Sequence, residues 1–394
     1  MIELGLYLLG IVNTVVGLYS LASAWNYRSY IRRFTELGDF QTSNLPSVAL
    51  LVPCCGLEPG LDDNLKAIAL QEYPDFELFF IVEDESDSAV PAIQSVRRSA
   101  KRPSRLILAG PTQNGSQKIH NLMAGLSHVG EHEVLVFADS DIRPSPVWLR
   151  RLVASLEKER IGVTTGYRFH IPEPGSFASL LRSIWNAGVL TILGDHDHNF
   201  AWGGSMAIRT DVFHAAEVPK AWRGALSDDY ALTHAVRNAG YRVEFVPSAI
   251  VPTFGAVSFQ EVFRWCYRQM AITKVYWRNL WRVGGGSQIV YIAFLLAGTF
   301  AAATGNRVAL VLVSCVVGLS IMSGYIRTKA IQSLGGEWKR HLHRLTWSYA
   351  LLVPLASILT AYGFVHSLLS QRIEWRGRIY EMRSPQDTIL VHRE

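Results

Sequence analysis

Apolar and polar positions follow three regimes along the 394-residue chain. Residues 4–25 form a run without a single charge, long enough at about 1.5 Å per helical residue to cross a hydrocarbon layer of about 30 Å. Residues 288–304 and 308–326 are two further apolar stretches, separated only by Gly305, Asn306 and Arg307, and are expected to form a tight transmembrane hairpin. Residues 345–369 are a fourth, with Pro354 inside, which a membrane helix tolerates. Between about Ser47 and Pro252 the pattern changes: short β-rich runs alternate with amphipathic stretches, as a mostly parallel sheet with covering helices requires. Strands are expected at residues 48–52, 76–82, 106–108, 134–138, 163–167 and 243–246, and helices at 61–70, 118–126 and 229–238.

Charge placement orients this plan. Glu3 precedes the first apolar run while Arg28, Arg32 and Arg33 follow it, which predicts a retained signal anchor with the following residues in the cytoplasm. Arg327, Lys329, Lys339, Arg340 and Arg344 mark a cytoplasmic loop between the third and fourth spans. The tail does not fit: four spans put it outside, whereas Arg372, Arg376, Arg378 and Arg383 argue that it stays inside, so either the last apolar segment is re-entrant or interfacial or the charge rule fails there. The net charge of +5 is modest and much of the excess flanks apolar runs, which reads as orientation and contact with a lipid bilayer rather than nucleic-acid binding. Cys54, Cys55, Cys266 and Cys315 offer neither a disulfide framework nor metal-ligand spacing, and fit a reduced compartment. The expected organisation is a transmembrane anchor over residues 1–27, a cytoplasmic catalytic domain over 28–255, an amphipathic interfacial segment over 256–287, a transmembrane region over 288–370 and a basic tail over 371–394, in which Gly377 returns the chain toward the bilayer interface.

Candidate chemistry gathers at the ends of the predicted strands. The fourth delivers Asp139 and Asp141 to its carboxyl end, where open α/β sheets place their sites. Hard oxygen ligands of this kind suit Mg²⁺ or Mn²⁺ carrying a diphosphate, although such a pair also serves turns and caps. Glu83 and Asp84 follow the second strand, and Asp228 and Asp229 open the helix at 229–238; there the plainer reading of Asp228 is a cap beside Ser227. Residues 258–281 interleave Phe259, Phe263, Trp265, Tyr267, Tyr276, Trp277 and Trp281 with Arg264, Arg268, Lys274 and Arg278, the pattern of an interfacial helix, and Arg268 with Gln269 is also placed to hold a leaving diphosphate. Residues 185–205 read as an acceptor-facing loop in which His196, Trp202, Gly203 and Gly204 line the cleft, the glycines permitting close backbone approach.

Tyr73-Pro74, Val82-Glu83-Asp84, Lys118-Ile119-His120-Asn121-Leu122, Ala138-Asp139-Ser140-Asp141-Ile142-Arg143 and Asp228-Asp229-Tyr230 together make the chain resemble the membrane-bound inverting glycosyltransferases, most closely the ceramide glucosyltransferase family, from about Val48 to Trp281. The resemblance implies a GT-A fold, an α/β nucleotide-sugar-binding sheet, with a UDP-sugar donor, a divalent cation (Mg²⁺ or Mn²⁺) and a membrane-lipid acceptor. It implies that Asp84 binds the uracil or ribose, that Asp139 and Asp141 hold ribose and metal, that Lys118 lies near the nucleotide, and that Asp229 is the general base. That family closes its motif set with Gln or Arg, two residues, then Arg-Trp. Here Glu261 stands three positions before Arg264-Trp265, so the diphosphate arginine is Arg264 or Arg268, with Arg268-Gln269 the preferred match. The implied activity is transfer of a hexose, glucose first, to the hydroxyl of ceramide or of another lipid such as a hopanoid. A processive polysaccharide synthase, a sugar-nucleotide sensor and a membrane scaffold are the rival readings.

Overall fold

A computed structural model describes residues 2–36 and 45–393, in two compact units: a sheet unit of Leu37–Glu173, Asp195–Ala256 and Gln371–Glu394, and a helical unit of Met1–Glu36, Pro174–Gly194 and Val257–Ser370. The sheet unit is built on β1 (Val48–Pro53), β2 (Phe76–Val82), β3 (Ser104–Leu108), β4 (Val134–Ala138), β5 (Ile161–His170), β6 (Ser205–Arg209) and β7 (Arg242–Thr253), in the order β3-β2-β1-β4-β6-β5-β7. β1, β2, β3 and β4 run parallel, and β6 alone runs against its neighbours β4 and β5. Val48, Ala49, Leu50, Leu51 and Val52 are wholly buried, as are Leu78, Phe79, Phe80, Ile81 and Val82. Strands covered on both faces need such continuous apolar runs. The order reverses direction at β1 and β4, so the crevice outside their carboxyl ends is the expected ligand position, and Asp139 is the first residue beyond β4. This is the GT-A sheet anticipated above.

Two parts of the chain depart from the sequence reading. The stretch 185–205, read as loop, begins inside the helix Phe177–Leu190 and ends by entering β6. The tail is not simply a basic extension: β8 (Arg372–Trp375), β9 (Arg378–Ser384) and β10 (Asp387–Arg393) form an antiparallel meander. Arg376 and Gly377 both take positive φ, 54° and 67°, the two-residue turn whose twist suits a hairpin. Ile373, Tyr380 and Met382 bury one face of the meander.

In the helical unit, Ile2–Glu36, Arg278–Ala303 and Arg307–Gln332 are long and apolar enough to cross a membrane. The hairpin between the last two turns at Gly305, and Asn306 accepts a hydrogen bond from the N–H of Ala309 at 3.0 Å. Gly10 and Gly17 let the first helix approach the third closely: a Cβ would stand 2.7 Å from Leu312 at Gly10 and 3.0 Å from Leu319 at Gly17, the small-residue packing on which apolar helices rely in lipid. Asn13 and Thr14 bond to carbonyls of their own helix, Leu9 and Gly10, at 2.9 and 2.8 Å. The fourth apolar run is broken rather than straight. Trp338–Leu351 and Val353–Leu369 meet at 71°, and Pro354 lies in the first turn of the second piece rather than inside one helix, the position where its missing N–H costs nothing.

Candidate active site

The carboxyl end of β4 is the centre of a charged cluster. Pairing of Ala138 with Ser205 lays the backbone of Gly203 and Gly204 against Asp139, whose N–H donates to the Gly204 carbonyl at 3.3 Å. Neither glycine has room for a side chain: a Cβ on Gly204 would lie 2.6 Å from Asp139 Oδ2, and one on Gly203 would lie 2.5 Å from Asp228 Oδ2. Close approach is therefore their role, toward carboxylates of the same unit. Gly204→Ala is expected to push the Asp139 carboxylate aside and to lower turnover by about 10²-fold, the cost of roughly 1 Å of misplacement, measurable in initial-rate assays on folded variant.

Lys118 is supplied by the helix Gln117–Leu126, which begins at the Ser116 cap, where Oγ accepts from the N–H of Ile119 at 3.2 Å. Its ammonium reaches Asp139 Oδ1 at 2.8 Å and Asp228 Oδ2 at 3.1 Å. Burial works against the charge on Lys118, but Asp139 and Asp228 outweigh it and hold the amine protonated. Asp228 is 3% exposed; burial pushes its carboxyl up to about 6, with Lys118 opposing and Asp229 and Asp139 assisting. The helix Asp228–Asn238 is capped by Ser227, not by Asp228, and Asp228 is its first residue. Asp229, half-buried in the same turn, accepts hydrogen bonds from Ser227 Oγ and, at 2.7 Å, from the N–H of Tyr230 on Oδ1, and from the N–H of Gly203 at 3.3 Å on Oδ2. Gly203 thus ties Asp229 to the cluster around Asp139, which lies far from it in the chain.

Arg168, on β5, was not legible as a site residue. Its guanidinium pairs with Asp141, stands 3.8 Å from Asp139 Oδ2 and lies over the Trp202 ring at 5.5 Å. Trp202 in turn packs on Tyr167 with centroids 4.8 Å apart, and the backbone N–H of Trp202 donates to Thr165 Oγ1 at 2.8 Å. A lone arginine in a strand that is otherwise almost wholly buried was the available signal, since such a charge is kept only where it has a partner.

These residues fit a divalent cation. Four carboxylates, Asp139, Asp141, Asp228 and Asp229, gather around two cations, Lys118 and Arg168, and Asp141 Oδ1 is buried without a hydrogen-bond partner. No group of three His, Cys, Asp or Glu side chains forms a ready cage among the described residues. Ions such as Mg²⁺ are held in that way, by one or two carboxylates together with substrate phosphates.

The remaining expected residues lie in two places. Asp84 is exposed beyond β2, its Oδ1 accepting from the N–H and Oγ of Ser86 at 2.8 and 2.5 Å, bonds that hold its carboxyl below the usual range. It is on the same edge of the sheet as Asp139, two strands or about 10 Å across. His196 is exposed and takes the N–H of His198 at 3.2 Å; its contacts are local rather than with the carboxylates. Trp265, Arg268 and Gln269 are on the helix Phe259–Tyr276 of the helical unit. Trp265 is buried edge-on against Trp185 with centroids 4.7 Å apart, Arg268 is half-buried and Arg264 exposed.

The model of Glycosyl transferase family 21 matches residues 5–388 of this chain. The chain belongs to that family. Among curated relatives, the probable glycosyltransferase YdaM of Bacillus subtilis is 26% identical over 262 residues, 64% of this chain and 57% of its own. Ceramide glucosyltransferase 3 of Caenorhabditis elegans is 20% identical over 240 residues, 59% of this chain and 52% of its own. The ceramide glucosyltransferase of Komagataella phaffii is 28% identical over 116 residues, 28% of this chain and 23% of its own. The chain spans a little over half the length of the first two of these relatives and about a quarter of the third. A solved mannosyltransferase, PcManGT from Pyrobaculum calidifontis, is 15% identical with a TM-score of 0.49, over 92% of this chain and 99% of that one, a likeness too slight to bear on donor or metal.

Proposed function

We propose that this family 21 protein transfers a hexose, glucose first among candidates, from a UDP-sugar to the hydroxyl of a membrane lipid such as ceramide, with inversion at the anomeric carbon. The observation that carries the reading is the folding of Asp229 onto the Asp139 cluster through Gly203: a carboxylate suited to take a proton stands beside carboxylates suited to hold a metal-bound diphosphate. Asp139 and Asp141 would hold Mg²⁺ or Mn²⁺, which supplies charge neutralisation to the leaving diphosphate. Asp229 accepts the proton of the acceptor hydroxyl while the acceptor oxygen bonds to the anomeric carbon and the bond from that carbon to the diphosphate oxygen breaks, its electron pair leaving with UDP. Lys118, kept cationic by its two carboxylates, fixes Asp139 and Asp228 and offsets charge that would otherwise repel the donor. Asp84 is assigned to the uracil or ribose. Arg268, preferred over Arg264, is assigned to the diphosphate, Gln269 and Trp265 to the nucleotide sugar, and His196 and Trp202 to the acceptor side. The apolar helices support a lipid acceptor.

Incubation of the purified protein with labelled UDP-sugars and individual lipid acceptors tests the whole reading. A single-sugar glycolipid is the expected product, and elongating polymer without glycolipid overturns it. Arg168→Gln removes the guanidinium that competes for Asp141, so it is expected to tighten Mn²⁺ binding in the absence of donor by about tenfold, or 1.4 kcal/mol, as read by the free-Mn²⁺ electron paramagnetic resonance signal.

A further inference from the structure

Within the sheet unit, the meander of β8, β9 and β10 meets the segments around the seven-stranded sheet at positions adjoining the proposed donor residues. Glu83, directly before Asp84, is 6% exposed, yet both of its oxygens carry guanidinium groups from the meander: Oε2 pairs with Arg378, itself 7% exposed, and Oε1 lies 2.5 Å from Arg393 Nη1. Arg378 also lies 3.9 Å from Cys55 Sγ, and Arg376 pairs with Glu58 in the loop after β1. Gln117, directly before Lys118, donates its N–H to the Tyr380 hydroxyl at 3.3 Å. Thr388 bridges two further segments, its carbonyl accepting from the N–H of Gly115 and its own N–H donating to the Gly224 carbonyl, both at 3.0 Å. Gly224, with φ 69°, leaves no space for a Cβ, which would fall 2.2 Å from the Gln386 carbonyl; it opens the short approach to Asp228 and Asp229.

We infer that the C-terminal meander is a clasp that positions the donor-binding segments, with Arg378 as its principal positioning residue. The end of β2 before Asp84, the loop before Lys118 and the loop before Asp228 meet through backbone bonds, the N–H of Gly110 to the Glu83 carbonyl at 2.8 Å and that of Ser116 to the Ala225 carbonyl at 3.0 Å, and the meander adds contacts to all three. A buried carboxylate with two cationic partners keeps its fixed geometry only while both remain. Losing Arg378 leaves the buried Glu83 carboxylate with Arg393 on its other oxygen and frees the adjoining turn that presents Asp84. The inference rests on the proposed reading of the site as one for a UDP-sugar, and its effect belongs to donor binding rather than to the chemical step.

The test compares UDP affinity, by isothermal titration in Mn²⁺ buffer, and donor KM and kcat for the full-length wild type, Arg378→Met, Arg378→Lys and Tyr380→Phe. Expected are a UDP Kd and donor KM raised about tenfold or more in Arg378→Met, with kcat at saturating donor and acceptor KM within about twofold. Arg378→Lys retains charge but not the planar fork and falls between, and Tyr380→Phe weakens UDP binding by about two- to threefold. Should Arg378→Met not fold, Arg378→Lys decides: affinity at least threefold weaker supports the clasp. A wild type that binds UDP and a folded Arg378→Met, or failing that Arg378→Lys, that binds it equally well overturns the clasp. A loss confined to kcat overturns it too. A wild type that binds no UDP overturns the functional reading, and the clasp inference falls with it.

Discussion

Asp229→Asn is expected to lower turnover by about 10² to 10⁴-fold, the range for loss of a general base, while UDP-sugar affinity changes by no more than about twofold. The substitution is nearly isosteric. The amide keeps an oxygen for Ser227 and the N–H of Tyr230, and gives up only the 3.3 Å bond from Gly203. Single-turnover rates with donor prebound, set beside equilibrium binding of the same UDP-sugar, separate the two quantities. Wild-type turnover in this variant would remove Asp229 from the mechanism, and Asp228, its neighbour paired to Lys118, would become the carboxylate to examine.

Lys118→Met carries the second large effect. The ammonium is the shared partner of Asp139 and Asp228, and taking one member out of a buried ionic group leaves uncompensated charge, at a cost of about 3–5 kcal/mol. For a unit of this size that corresponds to a fall of roughly 6–20 °C in unfolding midpoint, to be followed by tryptophan fluorescence in detergent. Adding Asp228→Asn to the same chain removes one of the stranded charges. The double variant is expected to recover a substantial part of the lost stability without recovering activity, because Asp139 still lacks the cation that holds it. A single Lys118→Met as stable as wild type would show that the cluster is open to solvent and that its charges are screened.

What the sequence disclosed follows from how each feature is buried. β1, β2 and β4 are covered on both faces, so their apolar runs are continuous and their carboxyl ends, with Asp84, Asp139 and Asp141, could be placed before any coordinates. β6 escaped because five residues following Gly203-Gly204, running against the rest of the sheet, look like the end of a loop. The meander escaped for a different reason. Its period-2 pattern is present, with Ile373, Tyr380 and Met382 inward, but the intervening arginines dominate the composition and invite a reading as bilayer contact. Arg168 had no partner at a fixed spacing in the chain, and its carboxylates are met only through the β5–β6–β4 pairing. Lys118 could be assigned near the nucleotide by resemblance, whereas its bridging of Asp139 and Asp228 needed the fold.

The meander also constrains how the chain threads a bilayer. Its strands are part of the same compact unit as the sheet, so residues 371–393 and the catalytic residues must share one aqueous compartment. If Arg278–Ala303 and Arg307–Gln332 each cross once, the chain is already back on that side at Ser333, and an odd number of later passages is forbidden. A bent pair ending at Leu369 that enters the lipid would then leave by the face it entered. By parity, then, the basic tail lies on the same side as the sheet, and a reporter fused after Glu394 is expected to register the same sidedness as one placed within the sheet.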